Sequence, residues 1–199
     1  TVHEAAHGYV ARHFGDNTAY LLGRVTLNPL KHIDPLGTVV LPIVLYLSIG
    51  LPFGYAKPVP VQFGRLRDPK RDMVWVALAG PGANFAQALL WGIALYLLVG
   101  LGVREPFFLK MCQAGMLVNV VMFALNLFPL PPLDGGRVLV GLLPFRQASM
   151  VARVEPWGFF IVMGLIVLGI LNTIWMQPVM QLSHALLDLL LSPFQLLIR

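Results

Sequence analysis

Apolar residues along this chain come in long blocks, not short alternations: 36–56, 73–100, 111–133 and 157–187 contain no Asp, Glu, Lys or Arg. A helix needs about 20 apolar residues, rising about 1.5 Å each, to cross a hydrocarbon core of roughly 30 Å. The blocks therefore predict membrane-crossing helices over 73–100, 107–128 and 157–175. A last segment from Pro178 either returns or lies along the interface. Residues 1–14 read as the end of a helix closed by Gly15 and Asp16, and such a piece covers only about 20 Å. The start of a first transmembrane helix is thus expected ahead of Thr1. Tyr20–Leu27 is rich in Val, Leu, Thr and Tyr and predicts a strand or hairpin. Asn28-Pro29 and Asp34-Pro35 break regular structure. The block 36–56 is interrupted by Pro42, Pro52 and several glycines, so it either crosses once or dips in and returns; the re-entrant reading is favoured.

Composition agrees with the blocks. Of 199 residues, 57% are hydrophobic and 12% charged, with mean hydropathy +0.75; soluble domains carry about 25% charged residues. The expected fold class is an all-α polytopic membrane protein, a transmembrane helix bundle. A single cysteine, Cys112, excludes an internal disulfide framework. The net charge of +5 does not indicate nucleic acid as a partner, because the basic residues sit between apolar blocks. Lys57, Arg65, Arg67, Lys70 and Arg71 form one cluster and Arg137, Arg146 and Arg153 another; the positive-inside rule puts both on the cytoplasmic side. If 15–35, with Arg24 and Lys31, is also inside, 36–56 cannot cross an odd number of times. That is the basis of the re-entrant reading.

One constellation carries chemistry. His3-Glu4-Ala5-Ala6-His7 is H-E-x-x-H, which on a helix stacks two imidazoles on one face and lets them share one Zn²⁺, with the glutamate beside the metal's open position. Zinc-bound water ionises near pH 7. Glu4 could then act as general base and, afterwards, as general acid toward the leaving amine. With five His and three Glu in the chain, accidental spacing is a weak competitor. A catalytic zinc wants a third protein ligand, and the next unusual residue is Asp134, in Asn126-Leu-Phe-Pro-Leu-Pro-Pro-Leu-Asp134-Gly-Gly-Arg. An Asp capping the following helix at the interface is the bland alternative. Asn126, Pro129, Pro131 and Pro132 weigh toward a site, since prolines unwind a transmembrane helix and free backbone groups that a cavity or substrate must satisfy. His32 with Asp34 reads as turn residues, His13 as a helix end, and His184 with Asp188 as the polar stripe of a terminal helix.

Three motifs in this order, His3–His7, Ala79-Gly-Pro-Gly-Ala-Asn84 and Asn126-x-x-Pro129 with Leu133-Asp134-Gly135, resemble the site-2 protease family of intramembrane zinc metalloproteases, over roughly residues 1 to 140. Gly23–Pro35 and Gly54–Pro60 resemble its compact bacterial branch, without an inserted PDZ or appended CBS domain. The resemblance implies one zinc per chain bound by His3, His7 and Asp134, and water activated by Glu4. It also implies substrate contacts at Asn84, Asn126 and Pro129, and a small membrane-embedded β-hairpin near Leu22–Leu27 whose edge pairs with an unwound substrate. Residues 1–199 would then form one integral-membrane protease domain, with a core over 1–140 and C-terminal helices over 157–199. It would be multi-pass in a bacterial inner membrane and act on a transmembrane protein substrate. The competing class is a non-catalytic membrane metal-binding protein or a proton or metal transporter, for which Glu4 between the ligands has little purpose.

Overall fold

The structure, a computed structural model, describes residues 1–50 and 54–198. Every regular element among them is helical. The chain divides into two compact units, Thr1–Gly80 and Pro81–Arg199.

The first unit is built on α1 (Val2–His13), which ends where Gly15 turns at φ +109°. The hairpin expected over Tyr20–Leu27 does not form. Its first residues belong instead to a short helix, α2 (Thr18–Leu21), stopped by Gly23 at φ +63°. Asp16 starts this helix by accepting Thr18 N (2.9 Å) and Thr18 Oγ1 (2.5 Å). Gly23 N→Tyr20 O and Arg24 N→Ala19 O, both 2.9 Å, close it as a Schellman motif. Local caps at both ends override the β-branched and aromatic composition, and no strand edge is left at 22–27 for a substrate to join.

Asn28 and Asp34 cap the two turns that follow, Pro29–His32 and Pro35–Val40; Asn28 accepts Leu30 N, and Asp34 accepts Leu36 N and Gly37 N. His32 is buried with its Nε2 against Thr26 O, so this pair has the turn roles expected of it. α3 (Leu41–Ile49) stops at Gly50, φ +73°. The chain then comes back: Tyr55 N donates to Gly37 O (2.9 Å), Thr38 Oγ1 to Tyr55 O (3.0 Å) and Lys57 N to His32 O (2.8 Å). The described residues at the two flanks of the apolar block, Gly37–Thr38 and Tyr55, therefore lie side by side.

From Lys57 the backbone forms an extended strap along α1. Val59 N bonds Glu4, Gln62 N bonds Asp16 Oδ2 (2.6 Å), and Arg67 N bonds Phe14 O (3.0 Å). Ala11, Leu66 and Val76 form the small core beneath it.

α4 (Pro69–Gly100) begins in the first unit, where Asp68 N bonds Asp72 Oδ2 (2.9 Å), and contains the boundary between the units. In the second unit, α4 packs with α5 (Pro106–Asn126) and α9 (Gln177–Leu191) around Ala88, Val120, Leu187 and Leu191. Small residues allow the close approach. A Cβ on Gly92 would strike the Leu191 side chain, and one on Gly115 the Trp91 ring. Such small-residue contacts are how helices associate in lipid, where apolar surfaces gain little from meeting.

Between α5 and α9 lie α6 (Asp134–Leu142), α7 (Phe145–Ala152) and α8 (Glu155–Val167). α4 and α5 are each long and apolar enough to cross a membrane; α7 and α8, bent by 65°, make a third span if taken as one. The crossing expected over 157–175 is interrupted: α8 ends at Val167 and Gly169 turns at φ +72° before a wide helical turn, Asn172–Met176, leads into α9. Trp175 is held there by its Nε1–H on Ala124 O (2.8 Å).

Candidate metal centre

His3 and His7 lie one turn apart on α1, and their rings meet edge to face with Nε2 atoms 3.0 Å apart. Two nitrogens on a tetrahedral zinc at about 2.0–2.1 Å stand about 3.3–3.4 Å from each other. The pair is therefore spaced for one ion to within a few tenths of an ångström. His7 is buried, and its Nδ1–H donates to the Val76 carbonyl of α4 (2.7 Å). A carbonyl can only accept, so this bond fixes the tautomer and leaves the Nε2 lone pair for a metal.

Gly80 forms the floor. A Cβ there would run into His7 Nε2 and the His3 ring, so no other residue leaves room at this point of α4. An ion held by two imidazoles needs such an open face. The donor set and the cradle both fit zinc.

Glu4 points from the same helix to the strap, where its Oε2 accepts the Val59 N–H (2.8 Å).

Asp134, in the second unit, is buried in the first turn of α6. The turn before it is shaped by close backbone contacts. A Cβ on Gly135 would overlap the Leu127 carbonyl, one on Gly136 the Leu130-Pro131 peptide, and one on Gly158 the Pro131 carbonyl. The Pro131-Pro132 bond is cis. Asn126 ends α5 and donates its Nδ2–H to Met122 O (2.9 Å); Pro129 is exposed in the turn beyond. Asn84 is buried on α4, and the next residue, Phe85, packs on Phe123, three residues before Asn126. His184, by contrast, is exposed and bonded to its own helix through Met180 O.

Sequence reasoning missed Gly80, the Val76 carbonyl and the Val59 N–H. Gly80 and Val59 lay in motifs already singled out, but a glycine's close contact and a backbone donor leave no mark in residue type alone.

Paired imidazoles with a glutamate between them, on an apolar chain whose described residues include two or three helices able to span a bilayer, define a membrane zinc metalloprotease. The profile of Peptidase family M50 matches residues 103–169. The protein named "Putative zinc metalloprotease YwhC" of Bacillus subtilis (strain 168) is 39% identical over 176 residues, 84% of this chain and 75% of that one. "Putative zinc metalloprotease Rip2" of Mycolicibacterium smegmatis is 32% identical over 179 residues, covering 86% and 64%. Its Mycobacterium tuberculosis H37Rv namesake is 30% identical over 200 residues, covering 93% and 72%. No solved structure matches the chain. The chain belongs to Peptidase family M50, the site-2 protease family, and its cofactor is Zn²⁺.

Proposed function

We propose that this protein hydrolyses a peptide bond in or near a transmembrane segment of another membrane protein, as a multi-pass protease of a bacterial inner membrane. The observation that carries the reading is the H-E-x-x-H pair on α1, with Nε2 atoms 3.0 Å apart above a glycine that no side chain could replace.

In this reading His3, His7 and Asp134 hold one zinc per chain, and the two units work as a single protease domain. Zinc, when bound, supplies Lewis-acid polarisation of water and of the scissile carbonyl. Glu4 takes the proton of the attacking water on a carboxylate oxygen and returns it to the leaving amine. Asn84, Asn126 and Pro129 contact the backbone of the extended substrate. The proximity of Phe85 to Phe123 supports grouping the two asparagines, and the exposed turn after Asn126 offers a place for an unwound chain. Asp134, buried in a turn framed by Gly135 and Gly136, is the carboxylate available in the family motif to complete the ligand set.

The test is cleavage of a tagged single-span substrate in detergent, with chelator and with zinc restored. Loss on chelation and recovery with zinc is expected. Metal flux in liposomes without any cleavage would establish the transporter reading instead.

A further inference from the structure

We infer that Val59 is a positioning residue for the reaction: its backbone N–H holds the Glu4 carboxylate in the orientation proton transfer requires. The inference rests on the reading of Glu4 as the base.

Glu4 lies in the first turn of α1, yet its carboxylate reaches the Val59 amide, 55 residues away in sequence, at 2.8 Å. Val59 lies between Pro58 and Pro60, neither of which has an N–H, so it carries the one backbone donor of that tripeptide. Residues before proline are also kept extended, which turns the Val59 amide into a fixed feature. The strap around it is anchored on both sides. Lys57 N bonds His32 O, and Arg24 Nη atoms bind Lys31 O (2.6 Å), Lys57 O (2.9 Å) and Pro58 O (3.4 Å). Downstream, Gln62 N bonds Asp16.

The Val59 side chain is buried and seated against α1 beside the second histidine. A Cβ on Gly8 would lie 3.2 Å from Val59 Cγ1 and 2.8 Å from Val25 Cγ2. The glycine after His7 thus creates the notch that sets the height of Val59 on the helix, and with it the height of its N–H opposite Glu4. One carboxylate oxygen is committed to the amide. The other is left to take and deliver the proton. Catalytic groups misplaced by about 1 Å can lose on the order of 10²-fold in rate, so a fixed donor matters here.

The experiment replaces the Val59 amide with an ester, using α-hydroxyvaline in the full chain, which removes the N–H and keeps the side chain. An ester at position 62, which removes the Gln62 bond to Asp16 from the same strap, is the comparison. Cleavage of the single-span substrate is followed for kcat and KM separately, with zinc content and melting temperature. At position 59, kcat is expected to fall at least tenfold with KM and zinc content unchanged. At position 62, the melting temperature should drop, with a fall in kcat much smaller than at position 59. An unchanged or raised kcat at position 59, or a loss of zinc and melting temperature that accounts for the whole fall, overturns the inference. Glu4→Gln in the same assay separates the two layers: if it cleaves normally the base reading fails, whereas an inactive Glu4→Gln beside a fully active ester 59 removes only Val59.

Discussion

At the scale of single residues the site is governed by what a glycine and two backbone groups permit. Gly80→Ala should strengthen α4 slightly, because glycine inside a helix costs about 1 kcal/mol relative to alanine. Its methyl group, however, would meet both imidazoles. The expected outcome is a folded protein whose zinc affinity falls by about tenfold or more, the range seen when groups supporting a metal ligand are disturbed, measured by competition with a chromogenic chelator. Unchanged affinity would show that the cradle is not needed.

Asp16 makes a second residue-scale prediction. Burial pushes its carboxyl upward, but bonds from Thr18 and Gln62 and the charge of Arg65 outweigh this and hold it below its ordinary value of 3.8. Because the folded value is the lower one, its stabilisation is complete above the ordinary value and disappears as pH falls through the folded one. Asp16→Asn should therefore lower the melting temperature near neutral pH, by an amount worth about 2 kcal/mol for charge-assisted bonds. The difference from the parent should shrink below about pH 4. A constant difference across pH would contradict it. H-E-x-x-H was legible in the sequence because residue type and spacing together define it; the partners that orient it were not, since a carbonyl like that of Val76 is carried by every residue and an N–H like that of Val59 by every residue except proline.

At the scale of elements, legibility followed length. α4 and α5 lie where the long apolar blocks predict them, because helix is the conformation that satisfies a backbone in lipid from within one segment. Short elements were decided by caps. Tyr20–Leu27 has strand-forming side chains, yet Asp16 and Gly23 start and stop a helix around Thr18–Leu21. Gly169 likewise divides what composition presents as one crossing over 157–175. The turn that introduces Asp134 depends on backbone-to-backbone approach at Gly135 and Gly136. Gly136→Ala should destabilise the second unit by about 1–3 kcal/mol, the usual cost of overpacking, read as a lower unfolding temperature in detergent. Equal stability would mean that the turn relaxes without cost.

At the scale of the whole molecule, a mean hydropathy of +0.75 and helices such as α4 and α5 with exposed Trp75, Leu90, Leu117 and Val118 belong to a protein solvated by lipid. Tyr55 N→Gly37 O brings together the described flanks of the apolar block 36–56, and a re-entrant path for that block, the reading that places both basic clusters on one side by the positive-inside rule, makes a prediction. Cysteine accessibility at Lys31→Cys and Lys57→Cys in sealed vesicles should therefore label from the same face. Labelling from opposite faces would mean that the segment crosses.

The central claim, that Glu4 activates water for peptide hydrolysis at a zinc held by His3 and His7, is tested most directly by Glu4→Gln. The variant is expected to fold, to bind one zinc per chain, and to cleave the single-span substrate about 10²–10⁴-fold more slowly than the parent, the contribution usual for a general base. Cleavage at the parental rate by zinc-loaded Glu4→Gln would contradict the account.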